Sequence, residues 1–154
     1  MNFISGNTMN TSVDYLLSQK EDAIYTVDLD ATVEDAVKEM NNHKIGFVMV
    51  LSSSKLVGVF SERDVLVRVV ADGLDPKTTL VSKVMTTDVR TISPGDTAEK
   101  ALETMATHRC RHLPVMRKKQ LVGLLSIGDV TRWITRTHQL EADHLRSYVT
   151  GTPW

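Results

Sequence analysis

The sequence lacks the features that mark secreted, membrane-spanning and nucleic-acid-binding proteins. Its one cysteine, Cys110, cannot form an intramolecular disulfide, which favours a reducing, cytoplasmic setting. No stretch approaches the roughly 20 apolar residues of a transmembrane helix, and the first ten residues do not resemble a secretory signal. The formal net charge of −1 argues against bulk electrostatic binding to nucleic acid or to an anionic membrane. We therefore expect an intracellular globular protein with neither of those partners.

What the sequence does contain is one pattern written twice, over residues 25–68 and 90–133, at a constant separation of 65 residues. The recurring positions include Thr32, Glu34, Ala36, Met40, His43, Gly58, Ser61 and Asp64, which return as Thr97, Glu99, Ala101, Met105, His108, Gly123, Ser126 and Asp129. A repeat of this size is a supersecondary unit that cannot bury its apolar face alone. We expect the copies to pack across a pseudo-twofold axis, with clefts that suit small ligands.

Each copy predicts the order strand, helix, strand, strand, helix, so the expected fold class is α/β. It consists of two β-α-β-β-α repeats related by pseudo-twofold symmetry, with short N-terminal and C-terminal helices. The expected divisions are a mobile lead-in at 1–11, the first repeat with its N-terminal helix at 12–76, a linker and the second repeat at 77–135, and a C-terminal helix and tail at 136–154. Pro114 falls inside a predicted strand, which should therefore be an edge strand or locally unpaired.

The first candidate site is the pair of segments in which a strand runs into a helix, at Ser61–Asp64 and Ser126–Asp129. The N–H groups at a helix start favour anions, and a carboxylate three residues after the serine could accept two hydrogen bonds from a vicinal diol such as ribose. The same Ser-x-x-Asp spacing also forms a capping box, which serves only the helix N-terminus. Both interpretations are open at this stage.

The second candidate is a cluster of cations at the start of a predicted strand, made by Arg109, Arg111 and His112. Guanidinium forks suit phosphate oxygens, although a solvated basic strand end explains the cluster equally well. The matching segment of the first repeat, Lys44 to Phe47, is much less basic. The two clefts should therefore differ in their affinity for anions.

Metal binding and catalysis have little support in the sequence. His108 and His112 have helical ligand spacing, but a predicted helix-to-strand break lies between them. Neighbouring arginines could lower the pKa of Cys110, yet no base is evident beside it. The sequence has no Walker loop and no Gly-x-Gly-x-x-Gly motif. We expect no enzyme, no metal site and no required cofactor.

The tandem repeat, the two Gly-x-x-Ser-x-x-Asp segments and the Arg-His-Leu-Pro-Val segment resemble a cystathionine β-synthase (CBS) domain pair of the stand-alone bacterial or organellar type. The resemblance covers about residues 12–135. It implies a regulatory module that binds AMP, ADP or ATP, and in some members NAD or S-adenosylmethionine. It also implies a homodimer and a separate protein target, because no catalytic domain is fused to the repeats.

The resemblance further implies which residues bind the ligand. The ribose contacts would be Ser61, Asp64, Ser126 and Asp129. The phosphate contacts would be Arg63, Arg109, Arg111, His112 and Lys44. The adenine pockets would contain Val89, Cys110, Ile24, Ile45 and Gly46.

In this pairing, Asp64 and Ser61 act with Val89 and with residues 109–112, whereas Asp129 and Ser126 act with Ile24 and with residues 44–46. Because more cations face Asp64, we expect its cleft to bind a nucleotide phosphate. The Asp129 cleft should be weaker, empty or selective for another ligand. Two alternatives stay open: a structural or protein-interaction dimer whose clefts bind nothing, and a small nucleotide hydrolase.

Overall fold

The fold is described from a computed structural model over residues 8–21 and 23–151. The helices are α1 (Val13–Ser18), α2 (Val33–His43), α3 (Glu62–Asp64), α4 (Val81–Val84), α5 (Ala98–His108) and α6 (Ile127–Thr150). The strands are β1 (Thr26–Asp28), β2 (Phe47–Ser52), β3 (Lys55–Ser61), β4 (His112–Arg117) and β5 (Gln120–Ser126). A 3₁₀ turn at Thr8–Asn10 precedes α1, and a π-helical segment at Val65–Val70 continues α3. The predicted α/β class with two repeats is confirmed.

The first of two compact units contains residues 23–89 and 119–121. Its sheet has the order β1-β2-β3, in which β2 pairs parallel with β1 and antiparallel with β3. Thr32 is the N-cap of α2 and forms a capping box with Asp35: the Thr32 hydroxyl accepts from the Asp35 N–H, and the Asp35 carboxylate accepts from the Thr32 N–H. Its core combines one face of α2 with strand, π-helical and α4 residues: Val33, Ala36, Met40, Val48, Val50, Phe60, Val69, Val81 and Val84.

The second helix of the first repeat, which follows Ser61, is α-helical only at its start. The Ala71 N–H donates to the Leu66 carbonyl, which is the five-residue spacing of a π-helix. Four of the six π-helical residues are valines, whose branched side chains crowd a regular α-helical turn. The predicted second helix of the repeat is therefore present, and most of it is π-helical.

The described residues of the second unit are 8–21, 90–118 and 122–151. Helix α1 belongs to this unit, because Val13 and Leu16 are 0% and 3% exposed in a core shared with α5, β4, β5 and α6. The domain division expected from sequence counted α1 with the first repeat, whereas its buried side chains pack with the second. Of the expected lead-in, residues 1–7 lie outside the described residues. Thr11 is docked, since its carbonyl accepts from the Ala98 N–H and its hydroxyl from the Trp133 indole.

Helices α1 and α4 have equivalent places in the two units, although they lie 68 rather than 65 residues apart. The Val13 N–H donates to the Asp96 carbonyl at 2.8 Å, and the Val81 N–H donates to the Ala31 carbonyl at 2.8 Å. The carbonyls of these pairs are 65 residues apart and the donors 68, so three additional residues separate the helices. The sequence repeat therefore did not reveal that each unit has such a helix.

Proline explains why the second repeat has no equivalent of β1. In the first repeat the Met49 N–H donates to the Tyr25 carbonyl and the Leu29 N–H to the Leu51 carbonyl. The residues 65 positions after those two donors are Pro114 and Pro94, which have no N–H to donate. In the place of a β1 equivalent, the described residues form the isolated parallel bridge of Ile92 to Val115. Pro114 therefore lies in an edge strand, since β4 pairs only with β5 in its two-stranded sheet, and this is one of the two predicted outcomes.

Helix α6 extends farther than predicted. The sequence predicts one helix that ends near Thr135 and another that begins at Arg136, but the structure has one helix over Ile127–Thr150. No glycine or proline occurs between Gly128 and Gly151, so nothing interrupts the helix. Among helices in residues 8–21 and 23–151, none is long and apolar enough to cross a membrane.

Candidate functional site

The first candidate carboxylate, Asp64, lies at the start of α3 and is 7% exposed. Its Oδ2 accepts from the Ser61 N–H at 3.0 Å and from the Ser61 hydroxyl at 3.1 Å, and its Oδ1 accepts from the Thr86 hydroxyl at 3.1 Å. The Arg68 Nε lies 3.7 Å from Oδ1, on a side chain that is 46% exposed. Asp64 is therefore held by one backbone N–H and two neutral hydroxyls, with a longer and more solvated ion pair beside them.

The second candidate carboxylate, Asp129, lies at the start of α6, and its side chain is 6% exposed. Its Oδ2 accepts from the Ser126 N–H at 2.8 Å and from the Lys20 ammonium at 2.7 Å, and its Oδ1 accepts from the Arg132 guanidinium at 2.6 Å. Burial opposes ionisation, but the hydrogen bond and charge of Lys20 and the hydrogen bonds of Ser126 together lower the pKa of Asp129. Asp129 is therefore an ionised carboxylate in direct contact with two cations.

Both segments form capping boxes, so the structural interpretation of Ser-x-x-Asp is confirmed. Each serine hydroxyl accepts from the N–H of the aspartate three residues later, and each aspartate accepts from the serine N–H. Binding of a diol by these same carboxylates stays a prediction. The two carboxylates differ in their remaining partners, which are hydroxyls at Asp64 and cations at Asp129.

The strand starts lie beside the helix starts of their own repeats. The Glu62 N–H donates to the Gly46 carbonyl at 3.0 Å, and the Ile127 N–H donates to the Arg111 carbonyl at 2.8 Å. The structure thus brings Gly46 to the Asp64 helix start and Arg111 to the Asp129 helix start. The ligand sets expected from the family resemblance combine residues of both units and stay a prediction.

His112 is half-buried at the start of β4. Burial lowers its pKa; the charge of Asp129 acts in the opposite direction, while the charges of Lys20 and Arg111 act in the same direction as burial. His112 is therefore predominantly neutral at pH 7 and is a hydrogen-bonding group rather than a fixed cation.

Lys44 and Arg109 have a backbone role that the sequence analysis missed. They end α2 and α5 in the left-handed conformation, with φ of 54° and 52°. This position usually favours glycine, so the sequence contained no local signal for it. Both side chains are exposed.

Three arginines expected to contact phosphate have solvent-exposed side chains. Arg63, Arg109 and Arg111 make no side-chain hydrogen bond or ion pair within residues 8–21 and 23–151. Their charges are therefore not neutralised by the described parts of the chain.

The residues expected at the adenine face are mostly half-buried. Ile45 packs against the core of the first unit and Cys110 against that of the second, whereas Ile24 is 36% exposed. Burial raises the pKa of the Cys110 thiol; its backbone hydrogen bond and Arg90 oppose this only in part. The idea that neighbouring arginines activate this thiol is therefore wrong.

Sequence reasoning also missed Lys20 and Thr86. Lys20 precedes the first repeat and contacts a carboxylate 109 residues later, and no pattern in the sequence connects the two. Arg132, in contrast, follows Asp129 by three residues, a spacing that places two side chains on one helix face. Within residues 8–21 and 23–151, no group of three or more His, Cys, Asp or Glu side chains could hold a metal ion.

Comparison with known proteins relates both repeats to one family. The CBS domain matches this chain at residues 20–71 and 81–136. The chain is 35% identical over 127 residues to the CBS domain-containing protein CBSX3, mitochondrial, of Arabidopsis thaliana, with 79% of this chain and 62% of that protein aligned. It therefore spans about three fifths of the length of that relative.

Solved structures with the same fold include a CBS-domain containing protein from Agrobacterium tumefaciens. It has a TM-score of 0.74 and 34% identity, and covers 79% of this chain and 98% of its own. A CBS domain protein from Pyrobaculum aerophilum, solved in complex with AMP, has a TM-score of 0.68 and 28% identity, over 77% of this chain and 88% of its own.

Proposed function

The chain belongs to the CBS-domain family, whose domain pairs are regulatory modules, and from this premise we propose that it binds an adenine nucleotide through Asp64. The observation that carries the proposal is a buried carboxylate held by rotatable hydroxyls at a helix start, in a chain with a relative solved in complex with AMP. AMP, ADP and ATP are the proposed ligands, with NAD and S-adenosylmethionine as further members of the same adenosine class.

The partners of Asp64 make it suited to a ribose diol. The hydroxyls of Ser61 and Thr86 can rotate and donate elsewhere, so a diol can replace one neutral hydroxyl donor with another. Because Asp64 is 7% exposed, a bond from ligand to carboxylate would be formed largely away from water, where it is stronger. Ser61 supports the same carboxylate and would form part of the ribose contact.

Phosphate binding is proposed for Arg63, Arg109 and Arg111, with His112 as a neutral donor. Their exposed guanidinium groups supply positive charge, and their planar forks match phosphate oxygens. The apolar face of adenine is proposed to contact Val89 and Cys110. The equivalent contacts of the Asp129 cleft, proposed to be weaker, are Asp129, Ser126, Lys44, Ile24, Ile45 and Gly46.

Regulation follows from the differential affinity of the ligand. A nucleotide that draws on residues of both repeats stabilises the arrangement that binds it better, by the ratio of its affinities for the two states. The proposed assembly is a homodimer that signals to a separate protein target. No catalytic role is part of the proposal.

Isothermal titration of purified protein with AMP, ATP and NAD tests this function. The double variant Asp64→Ala/Arg111→Ala should lose about a hundredfold in affinity, since it removes one contact to ribose and one to phosphate, each equivalent to about a tenfold change. Asp72→Ala/Arg136→Ala changes charge equally at exposed positions and should bind as wild type does. Unchanged affinity in a folded Asp64→Ala/Arg111→Ala protein would exclude the proposed site.

One observation favours a second candidate, a structural or protein-interaction dimer whose carboxylates bind nothing. Asp64 and Asp129 already have capping roles, which account for their burial without a ligand. A thermal-shift measurement separates the candidates. AMP at about 100 times its Kd should add about 2.7 kcal/mol to the free energy of unfolding, whereas a protein that does not bind it gains nothing.

A further inference from the structure

The two Ser-x-x-Asp carboxylates are not equivalent, because within the described residues only Asp129 accepts hydrogen bonds from cationic side chains, whereas Asp64 has a single, longer ion pair of 3.7 Å with Arg68. At Asp129 the Lys20 ammonium lies 2.7 Å from Oδ2 and the Arg132 guanidinium 2.6 Å from Oδ1. With the Ser126 N–H also on Oδ2, both oxygens have donors, and the side chain is 6% exposed. A carboxylate has about four acceptor positions, and three are occupied at each aspartate, so the two sites differ in the charge of the donors rather than in their number.

The positions in the first repeat that correspond to Lys20 and Arg132 carry no cation. Following the equivalence of α1 and α4, the residue 68 positions after Lys20 is Asp88, which carries the opposite charge. The residue 65 positions before Arg132 is Val67, which is apolar. The difference between the carboxylates is therefore encoded by these two positions rather than by the shared motif.

Lys20 is also held in place by the fold. It follows α1, which is fixed by the burial of Val13 and Leu16 at 0% and 3% exposure. Its N–H donates to the Leu17 carbonyl at 3.2 Å, and its ammonium donates to the Leu124 carbonyl at 3.0 Å as well as to Asp129. The Lys20 side chain is 18% exposed, whereas that of Arg132 is 72% exposed. Lys20 is thus the less solvated of the two partners.

We infer that Lys20 is the specificity-determining residue that prevents Asp129 from binding the ribose of a nucleotide, so that the chain binds one nucleotide, at Asp64. This inference rests on the proposed function and adds the number of sites and the residue that sets it. A diol reaching Asp129 must replace a charged donor with a neutral one and leave a half-buried ammonium without its carboxylate. At Asp64 it replaces only hydroxyl donors.

The test is the number of AMP molecules bound per chain, measured by native mass spectrometry and isothermal titration. Wild type should bind one. Lys20→Met removes the ammonium and keeps the apolar stem, and it should bind two, with at least about tenfold higher affinity at the second site than wild type shows there. Lys20→Met/Asp129→Asn should return to one. Lys83→Met, an exposed lysine of α4, controls for the loss of charge.

Each outcome supports or overturns the inference. Two AMP molecules on wild type, or the same number on wild type and Lys20→Met, would overturn it. No AMP on wild type, but one on Lys20→Met that Asp129→Asn abolishes, would support it while refuting the proposed role of Asp64. Loss of the wild-type molecule in Asp64→Asn, together with no added molecule in Lys20→Met, would keep the proposed function and refute this inference. Lys20→Gln provides the same readout if Lys20→Met does not fold.

Discussion

Replacing Asp129 by asparagine should destabilise the protein more than the same change at Asp64. Each substitution keeps the size of the side chain and leaves an oxygen that can accept from the N–H of the capping serine, at Ser126 or Ser61. Both substitutions also remove the negative charge, and they differ in the groups that this charge contacts. At Asp129 that charge contacts the Lys20 ammonium directly, whereas at Asp64 the two shorter side-chain donors are neutral hydroxyls.

The structure sets the size of this difference. Hydrogen bonds to charged groups contribute about 1.5–3 kcal/mol, and Lys20, at 18% exposure, would lose such a partner. The pair with Arg132, at 72% exposure, contributes about 0–1 kcal/mol, and so does the 3.7 Å pair of Asp64 with Arg68. These exposed pairs cancel in the comparison. Asp129→Asn should therefore lower the free energy of unfolding by about 1–2 kcal/mol more than Asp64→Asn does.

Urea unfolding followed by circular dichroism measures this difference at pH 7. The effect should also depend on pH in a defined direction. Because the folded-state pKa of Asp129 is lowered from 3.8, the stabilisation is complete above pH values near 3.8 and is lost as pH falls through the lower folded-state value. The gap between wild type and Asp129→Asn should therefore be constant from about pH 5 to pH 8 and should narrow in acid.

Equal losses of stability in Asp129→Asn and Asp64→Asn would refute this reasoning, because the charge of Lys20 would then have no greater effect than a hydroxyl. A gap that widened below pH 4 would refute it as well. Lys20→Met tests the same ion pair by removing the cation. In a Lys20→Met background, Asp129→Asn and Asp64→Asn should lower the free energy of unfolding by nearly equal amounts.

The remaining predictions concern the thiol, two glycines and the half-buried histidine. Because burial raises the pKa of Cys110 above 9.0, its reaction with a disulfide reagent should still accelerate above pH 9, and a midpoint below pH 8 would contradict this. In Gly58→Ala the added methyl would meet a methionine sulfur at 2.6 Å and the Thr86 carbonyl oxygen at 2.9 Å, so urea unfolding should show a loss of about 1–3 kcal/mol. Gly123→Ala should cost less, because its methyl meets only a leucine side chain, and equal costs would count against the packing described. NMR titration of His112 should give a midpoint below pH 6.5, with stability falling as pH drops below that value, and a midpoint above 6.5 would mean that Asp129 outweighs burial.

Local features were predictable from the sequence because their interactions span only a few residues. The capping boxes beginning at Thr32, Ser61 and Ser126 are complete within four residues, so the sequence alone locates these helix starts. The edge position of the strand that contains Pro114 follows from a missing N–H in the same way. The α/β class follows from the repeated order of these elements, and the family from the motifs they carry.

The helix boundaries that were predicted wrongly depend on competing local preferences. No glycine or proline between Gly128 and Gly151 interrupts the helix, yet the predicted helix boundary lies at residue 135. The valine-rich segment Val65–Val70 suits a helix by its apolar spacing but adopts the π form. Periodicity indicates that a helix exists and is a poor guide to its winding and its end.

The sequence alone determined the duplication, the helix starts and the two carboxylates, because each depends on residues close together along the chain. Only the tertiary structure decided that α1 packs with the second repeat and that Lys20 reaches Asp129. Those contacts depend on which apolar face buries Val13 and Leu16, a choice made by packing among residues about 100 positions apart. Two identical motifs thereby acquire different electrostatic surroundings, since a buried carboxylate responds to whichever charges the fold brings within a few ångströms.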